Sequence, residues 1–327
     1  MKSLIENFSN QLRGAITIGE KAKLSSAKRK ISNVLICGLG GSGIGGTIVS
    51  ELVALEATVP ITVTKGYFIP KFVNESTLVI ISSYSGNTEE TLNCLQLALK
   101  KKAKIVCVTS GGKVAEIAKK KKLDVILIPG GNPPRACLGY SFTQLFFILG
   151  HYKIISNKFK AQLKSAVELI EAEEQNIISE AKNVAEKLFG KTPMIYATTY
   201  FEGVAIRFRQ QINENAKMLC GHQVIPEMNH NELVGWAGGS ERIGVIIFRD
   251  KDEFERNNVR IDINKQVIQK YTPNITEIWS KGKSQIEKAL YFIHLGDWVS
   301  FFMAEKRGVD ATEVKVIDML KGELSKL

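Results

Sequence analysis

The first half of the chain repeats one pattern: a short apolar run, a turn, then a longer segment of helical character. The runs are Val34-Leu35-Ile36-Cys37, Ile61-Thr62-Val63-Thr64, Leu78-Val79-Ile80-Ile81, Ile105-Val106-Cys107-Val108 and Val125-Ile126-Leu127-Ile128. They are rich in β-branched residues and apolar on both faces, as buried parallel strands are. Residues 47–55, 88–99 and 114–120 between them read as helices. Strand alternating with helix implies right-handed βαβ units, and so an α/β fold built on a doubly wound parallel sheet.

A loop signal, Gly130-Gly131-Asn132-Pro133-Pro134, ends this pattern, and residues 140–154 then read as a helix. Residues 159–188 are charged, periodic and rich in alanine and glutamate; they predict a long helix or a helix pair. A strand at 193–197 starts a second α/β half, followed by a helix at 201–219 and strands at 242–248 and 275–280. Helices at 285–306 and 314–324 complete it. The 327 residues are enough for two domains with their own cores. The expected division is an N-terminal subdomain at 1–152, a helical bridge at 153–190 and a C-terminal subdomain at 191–327. No convincing repeat relates the two halves at the sequence level.

No apolar run is long enough to cross a bilayer, and residues 1–13 lack an apolar secretory core. A cytoplasmic protein is expected. The five cysteines are odd in number and irregularly spaced, with no CxxC pair, which argues against a disulfide framework or zinc knuckle. The net charge of +11 raises the question of a nucleic acid or membrane partner. The lysine runs at 100–102 and 119–122 fall at predicted helix ends, where positive charge complements the helix dipole. No aromatic residues interleave with them as single-strand binding would require. Neither nucleic acid nor membrane is expected as a partner.

Two loops carry the chemistry. The first, Gly38-Leu39-Gly40-Gly41-Ser42-Gly43-Ile44-Gly45-Gly46, follows the first strand and opens a helix. Glycines let backbone N–H groups approach a ligand, and a helix start favours an anion. The loop contains GxGxxG, but the second strand ends Thr62-Val63-Thr64-Lys65, without the acidic residue a dinucleotide ribose needs. A P-loop Lys-Ser/Thr ending is also missing. The second loop, Ser82-Ser83-Tyr84-Ser85-Gly86-Asn87-Thr88-Glu89-Glu90, offers hydroxyls at Ser83, Ser85 and Thr88. Hydroxyls and helix N–H groups suit a monoester phosphate. Equally, Asn87 could cap the helix with Glu90 as its capping-box partner. In a sheet of order 2-1-3-4-5 both loops reach the topological switch point, where ligands bind.

A strand ending in Gly-Gly-Ser-Gly, and another ending in Ser-x-Ser-Gly-Asn-Thr-Glu-Glu-Thr, resemble the sugar isomerase (SIS) domain. Pro134-Arg135-Ala136-Cys137-Leu138-Gly139-Tyr140, Asn213-Glu214-Asn215-Ala216-Lys217, Pro226-Glu227-Met228-Asn229-His230-Asn231-Glu232 and the ending Ile317-Asp318-Met319-Leu320-Lys321-Gly322-Glu323-Leu324 narrow the match. Together they resemble the bifunctional phosphoglucose/phosphomannose isomerase family of archaea and some bacteria, over nearly the whole chain. The resemblance implies two SIS subdomains of flavodoxin-like, doubly wound type and a homodimer whose active sites lie between subunits. It implies hexose 6-phosphate substrates, phosphate binding by Gly41, Ser42, Ser83, Ser85 and Thr88, and catalytic roles for Arg135, Glu214, His230 and Lys321. No metal and no cofactor are expected. One departure is Val309-Asp310-Ala311-Thr312-Glu313-Val314, where a proline-containing turn is expected before the last helix.

Aldose–ketose isomerisation moves a proton between C1 and C2 through a cis-enediol, after the ring opens. Under the resemblance Glu214 is the base, Arg135 stabilises the enediolate, His230 transfers protons during ring opening, and Lys321 assists it or holds sugar hydroxyls. Blander roles compete with each. Glu214 lies opposite the stripe Val204, Phe208, Ile212, Ala216 and Leu219, and could be a solvated carboxylate. Arg135 could be a surface residue after Pro-Pro, His230 a loop histidine, and Lys321 a solvated helix lysine. Cys220, His222 and His230 do not have a tetrahedral metal spacing. His151 and His294 sit in apolar helical contexts and read as structural. Two other functions compete with the isomerase: a non-catalytic sugar-phosphate sensor and a nicotinamide-dependent oxidoreductase.

Overall fold

A computed structural model of the chain describes residues 1–324 and 326; the end of the expected 191–327 subdomain thus includes two positions, 325 and 327, outside the described residues. The chain opens with helices α1 (Lys2–Glu6) and α2 (Phe8–Lys21). The first α/β half follows as β1 (Asn33–Cys37), α3 (Gly40–Leu52), β2 (Ile61–Thr64), β3 (Thr77–Ser82), α4 (Glu89–Lys100), β4 (Lys104–Thr109), α5 (Gly112–Lys121), β5 (Asp124–Leu127) and α6 (Leu138–His151). Helix α7 (Phe159–Leu188) leads to the second half: β6 (Thr192–Thr198), α8 (Glu202–Ala216), β7 (Gly221–Ile225), α9 (Glu232–Gly235), β8 (Ile243–Arg249), α10 (Glu255–Ile268), β9 (Ile275–Trp279), α11 (Gln285–Arg307) and α12 (Lys315–Leu324).

Both sheets are wholly parallel. The first has the order β2-β1-β3-β4-β5, as the alternation predicts, and the second the order β7-β6-β8-β9. The central strand β3 is buried throughout, whereas β2 at the edge is only half-buried. Residues 159–188 form one unbroken helix of 30 residues rather than a pair. One continuous apolar core joins β1, β3, β6 and β8 through α2, α3, α6, α7, α8 and α11. All five cysteines are free thiols. Among the described residues no helix is long and apolar enough to cross a membrane.

Helix α11 explains how polar groups survive in that core. Residues 286 through 304 are all buried. A helix apolar around its whole circumference belongs inside a domain, yet this one carries Glu287, Lys288, His294 and Asp297, and each has a partner. Ser284 and Glu287 form a capping box at its start. His294 Nε2 lies 2.6 Å from Glu174, which fits the structural role expected of it. His151, by contrast, is exposed at the end of α6, so its apolar sequence context misleads. Lys288 Nζ donates to Asp250 at 2.8 and 2.9 Å and to the exposed Asp252 at 2.6 Å. Breaking a buried pair leaves one charge uncompensated. Asp250→Ala leaves Lys288 only the exposed Asp252, and should lower stability by about 1–3 kcal/mol in urea unfolding. Asp252→Ala should shift the midpoint far less, because its partner keeps Asp250 and its own carboxylate is solvated.

Candidate active site

The site starts from β1 and β3, which are neighbours in the first sheet. Helix α3 begins at Gly40, seven residues before the predicted start. Glycine disfavours a helix, but here close packing overrides propensity. A Cβ on Gly43 would lie 2.4 Å from the Gly38 carbonyl oxygen, and one on Gly46 2.9 Å from Ile36. Gly40 itself has φ +53°, a left-handed conformation that glycine adopts without strain. The residue before it, Leu39, provides no side-chain cap; its carbonyl accepts the Ser42 and Gly43 amides, so the Gly40 and Gly41 N–H groups are the ones open to another acceptor.

The second loop closes against the first. Ser42 Oγ accepts the Tyr84 amide at 3.1 Å, bonding the two loops directly. Ser83 and Thr88 hydroxyls lie 3.2 Å apart, and Ser85 Oγ accepts the Asn87 amide at 3.2 Å. Ser42 and Ser83 are buried, Thr88 is half-buried and Ser85 is exposed. The capping box of Asn87 and Glu90 does not form. Thr88 is the N-cap residue of α4 and makes no capping bond, while the Asn87 side chain accepts the Lys113 amide instead. Gly86, at φ +69°, brings the two loops after β3 and β4 so close that a Cβ there would lie 1.9 Å from the Gly111 carbonyl oxygen. Tyr84 extends the framework: its hydroxyl accepts from the Asn132 amide and the Cys137 thiol. Burial pushes its phenol pKa up.

Arg135 is no surface arginine; it is only 5% exposed. It sits in a short 3-10 turn, Pro134–Cys137, pressed against the glycine loop, where a Cβ on Gly41 would lie 3.1 Å from the Pro134 carbonyl oxygen. Its Nε donates to Asn215 at 2.8 Å, and Nη2 to the carbonyl oxygens of Ala311 and Thr312 at 2.7 and 2.9 Å. Nη1 lies 3.5 Å from the carboxylate of Glu214, whose side chain is 31% exposed. Burial draws the Arg135 pKa down, opposed by Glu214 and Asp310. Glu214 thus faces a fixed guanidinium at the end of α8. The apolar stripe Val204, Phe208, Ile212 and Ala216 is buried behind it, but Leu219 is not part of it. Helix α8 stops at Ala216 because Lys217 takes a left-handed conformation, φ 54°. Lys217 Nζ donates to the carbonyl oxygens of Glu214 and Glu313 at 2.6 and 2.7 Å.

Two expected residues stay apart from this cluster within one chain. His230 is exposed in a 3-10 turn, Glu227–His230, after the edge strand β7. Lys321 lies on α12, none of whose described residues is buried; Val316 on that helix is 75% exposed. Cys220 and His222 are partly buried, and burial with Arg209 nearby draws the His222 pKa down. Among the described residues no three His, Cys, Asp or Glu side chains gather as metal ligands. Asn215, Lys217, Tyr84 and the carbonyls of residues 311–312 complete the cluster without a predicted role. Asn215 and Lys217 flank Glu214 in its motif, which is the one signal that could have raised them. A cavity of about 540 Å³ lined by Arg29, Lys71 and Lys100–Lys102 lies at the amino ends of β3 and β4, the opposite end of the sheet. Ligands of such sheets bind beyond the carboxyl ends.

A family model described as the bacterial phospho-glucose isomerase C-terminal SIS domain matches residues 177–324. The chain is 38% identical to a bifunctional phosphoglucose/phosphomannose isomerase of Caldicellulosiruptor bescii, covering 99% of this chain and 98% of the relative. It is 33% identical to the protein of the same description in Aquifex aeolicus, over 99% and 98% of the two chains. The fold matches the crystal structure of a putative phosphosugar isomerase from Clostridium difficile with a TM-score of 0.76 at 18% identity, over 96% and 95% of the chains. At full length and above 30% identity, these relatives place the chain in the bifunctional phosphoglucose/phosphomannose isomerase family.

Proposed function

We propose that the chain is an aldose–ketose isomerase that interconverts glucose 6-phosphate and fructose 6-phosphate, and also accepts mannose 6-phosphate. The observation that carries this reading is the Glu214 carboxylate held 3.5 Å from a buried guanidinium, beside a glycine loop that opens an uncapped helix. A phosphate monoester is anchored at the starts of α3 and α4, among Gly41, Ser42, Ser83, Ser85 and Thr88 of the 1–152 subdomain. The sugar then extends toward Glu214 in the 191–327 subdomain. Glu214 removes the C2 proton of the open aldose, and the electron pair becomes the enediolate. Arg135 stabilises that oxyanion with a fixed positive charge, which needs no reorganisation at the moment of reaction. A proton passes from O2 to O1 in the enediol, and the Glu214 carboxylic acid then returns its proton to C1 as the C2 carbonyl forms. Glucose and mannose phosphates differ only at C2 and converge once that carbon is planar.

Ring opening requires proton transfer at the ring oxygen and the C1 hydroxyl. An imidazole suits both directions near neutrality, its unperturbed pKa being about 6.5. In our reading His230 of the partner subunit does this in a cytoplasmic homodimer, with Lys321 holding sugar hydroxyls. The exposed positions of His230 and Lys321 support that reading, since neither side chain has a hydrogen-bond or ion-pair partner among the described residues. No metal or cofactor enters the proposed steps.

Glu214→Gln should lower kcat by about 10²–10⁴-fold, the usual worth of a general base. It should leave fructose 6-phosphate binding intact by calorimetry, with EDTA present throughout. A wild-type protein that binds the sugar phosphate yet exchanges no C1 or C2 proton with D2O would instead be a sensor. Replacing Ser85 by Ala and Thr88 by Val together should raise KM by roughly 10²–10⁴-fold, since each hydrogen bond to a charged group is worth about 1.5–3 kcal/mol. Mixing inactive Glu214→Gln and His230→Asn chains should recover activity if each site draws on both subunits. No recovery from chains shown to exchange subunits would refute the shared site.

A further inference from the structure

Helices α3 and α8 pack in contact and run in opposite directions. At one end the glycine loop that starts α3 meets Arg135 and Glu214, the latter in the last turn of α8. At the other end the last turn of α3 meets the first turn of α8. There a Cβ on Gly203 would lie 2.9 Å from Ile48 Cγ1 and 3.1 Å from Ile48 Cα, so the two backbones nearly touch. The Glu51 carboxylate accepts the Gly203 amide at 2.8 Å. That amide is one of the first-turn donors a helix cannot satisfy itself, and a carboxylate there also complements the dipole.

We infer that Glu51 is a positioning residue for the reaction: its carboxylate latches the start of α8 to the end of α3 and so sets the spacing between the phosphate loop and the Glu214–Arg135 pair. This rests on the isomerase reading above. Glu51 lies a full helix away from the reacting atoms, about 18 Å for the 13 residues of α3. It acts through the two helices. A displacement of about 1 Å at a reacting group can cost 10²-fold in rate.

The latch is charged at some cost. Burial raises the Glu51 pKa to about 7; the Gly203 amide and Lys65 oppose this and Glu202 adds to it. The Lys65 pKa is drawn down by burial and by Arg209, while Glu51 and Glu202 oppose this. The folded pKa is above the ordinary 4.5, so folding favours the protonated acid. Stability is therefore lost as pH rises from about 4.5 through about 7, while the amide's acceptor gains its full charge. Glu51→Gln, uncharged at every pH, should lack this slope in thermal unfolding.

The decisive experiment compares Glu51→Leu and Glu51→Gln with wild type, using fructose 6-phosphate turnover and inhibition by inorganic phosphate. Glu51→Leu should lower kcat at least tenfold with phosphate inhibition unchanged within twofold, because the phosphate loop itself is intact. Glu51→Gln, which keeps an acceptor oxygen, should match wild type near pH 6 and fall to a fraction of it by pH 8.5. Equal kcat for Glu51→Leu and wild type, or a Gln-to-wild-type ratio constant across that range, would overturn the proposal. If the Leu variant does not fold, the Gln ratio alone decides. If wild type shows no turnover, the isomerase reading fails. Hydrogen exchange at the first turn of α8, expected to rise in Glu51→Gln at pH 8.5, then still tests the latch.

Discussion

The architecture of the site depends on one buried guanidinium. Arg135 reaches Asn215 on α8, the carbonyl oxygens of residues 311–312 and the carboxylate of Glu214, while its own carbonyl accepts from Arg207. Burying a charge is unfavourable unless its donors are satisfied. Here the partners come from two separate parts of the chain, α8 and residues 311–312, so satisfying the charge also aligns those parts with the turn that carries Arg135. Arg207 in turn is held by Asp297 on the buried helix α11, at 2.7 and 2.9 Å. Asn215 is braced by Ser300 on that same helix. The core helix thus supports the guanidinium from behind, and the glycine loop lies against its front.

The two sheets share a topology but differ at their switch points. In the first, the starts of α3 and α4 lack side-chain caps. In the second, carboxylates of the chain itself stand near the corresponding places. Glu253 bonds Thr198 at the end of β6, and Glu51 takes the Gly203 amide at the start of α8. An anion drawn to such a helix start would meet an existing negative charge. This is a physical reason to assign the proposed phosphate position to the half that carries the glycine and hydroxyl loops. It also leaves the second half free to supply the proposed catalytic carboxylate from the far end of α8.

Where the sequence could be read, periodicity was strong. The five runs of the first half became strands within a residue at each end; in β1, β3 and β4 their β-branched residues are buried on both faces, while β2 and β5 are the half-buried sheet edges. Strand β7, Gly221–Ile225, escaped notice; its His and Gln positions are only half-buried at a sheet edge, so no apolar pattern marks it. Helix α10 was missed for a related reason. Its apolar residues point both ways, with Ile261 and Ile268 buried and Val259 and Ile263 exposed. Helix α2 has a clear stripe at Phe8, Leu12, Ala15, Ile16 and Gly19 that went unused. The start of α3 was placed late because a glycine run looks like a loop until close packing is known.

The sequence by itself determined the alternation of strand and helix, the glycine and hydroxyl loops, and the motif residues around Arg135 and Glu214. Those features are local: propensity, periodicity and a few side chains within each segment. Only the tertiary structure decided that Arg135 is buried, that it faces Glu214 across nearly 80 positions of chain, and that Ser42 bonds the backbone of the second loop. It also decided that Glu51, an unremarked helix residue in the sequence, closes the far end of the α3–α8 pair. Such contacts depend on which helix faces meet once the sheets twist and pack, and no single segment encodes that meeting.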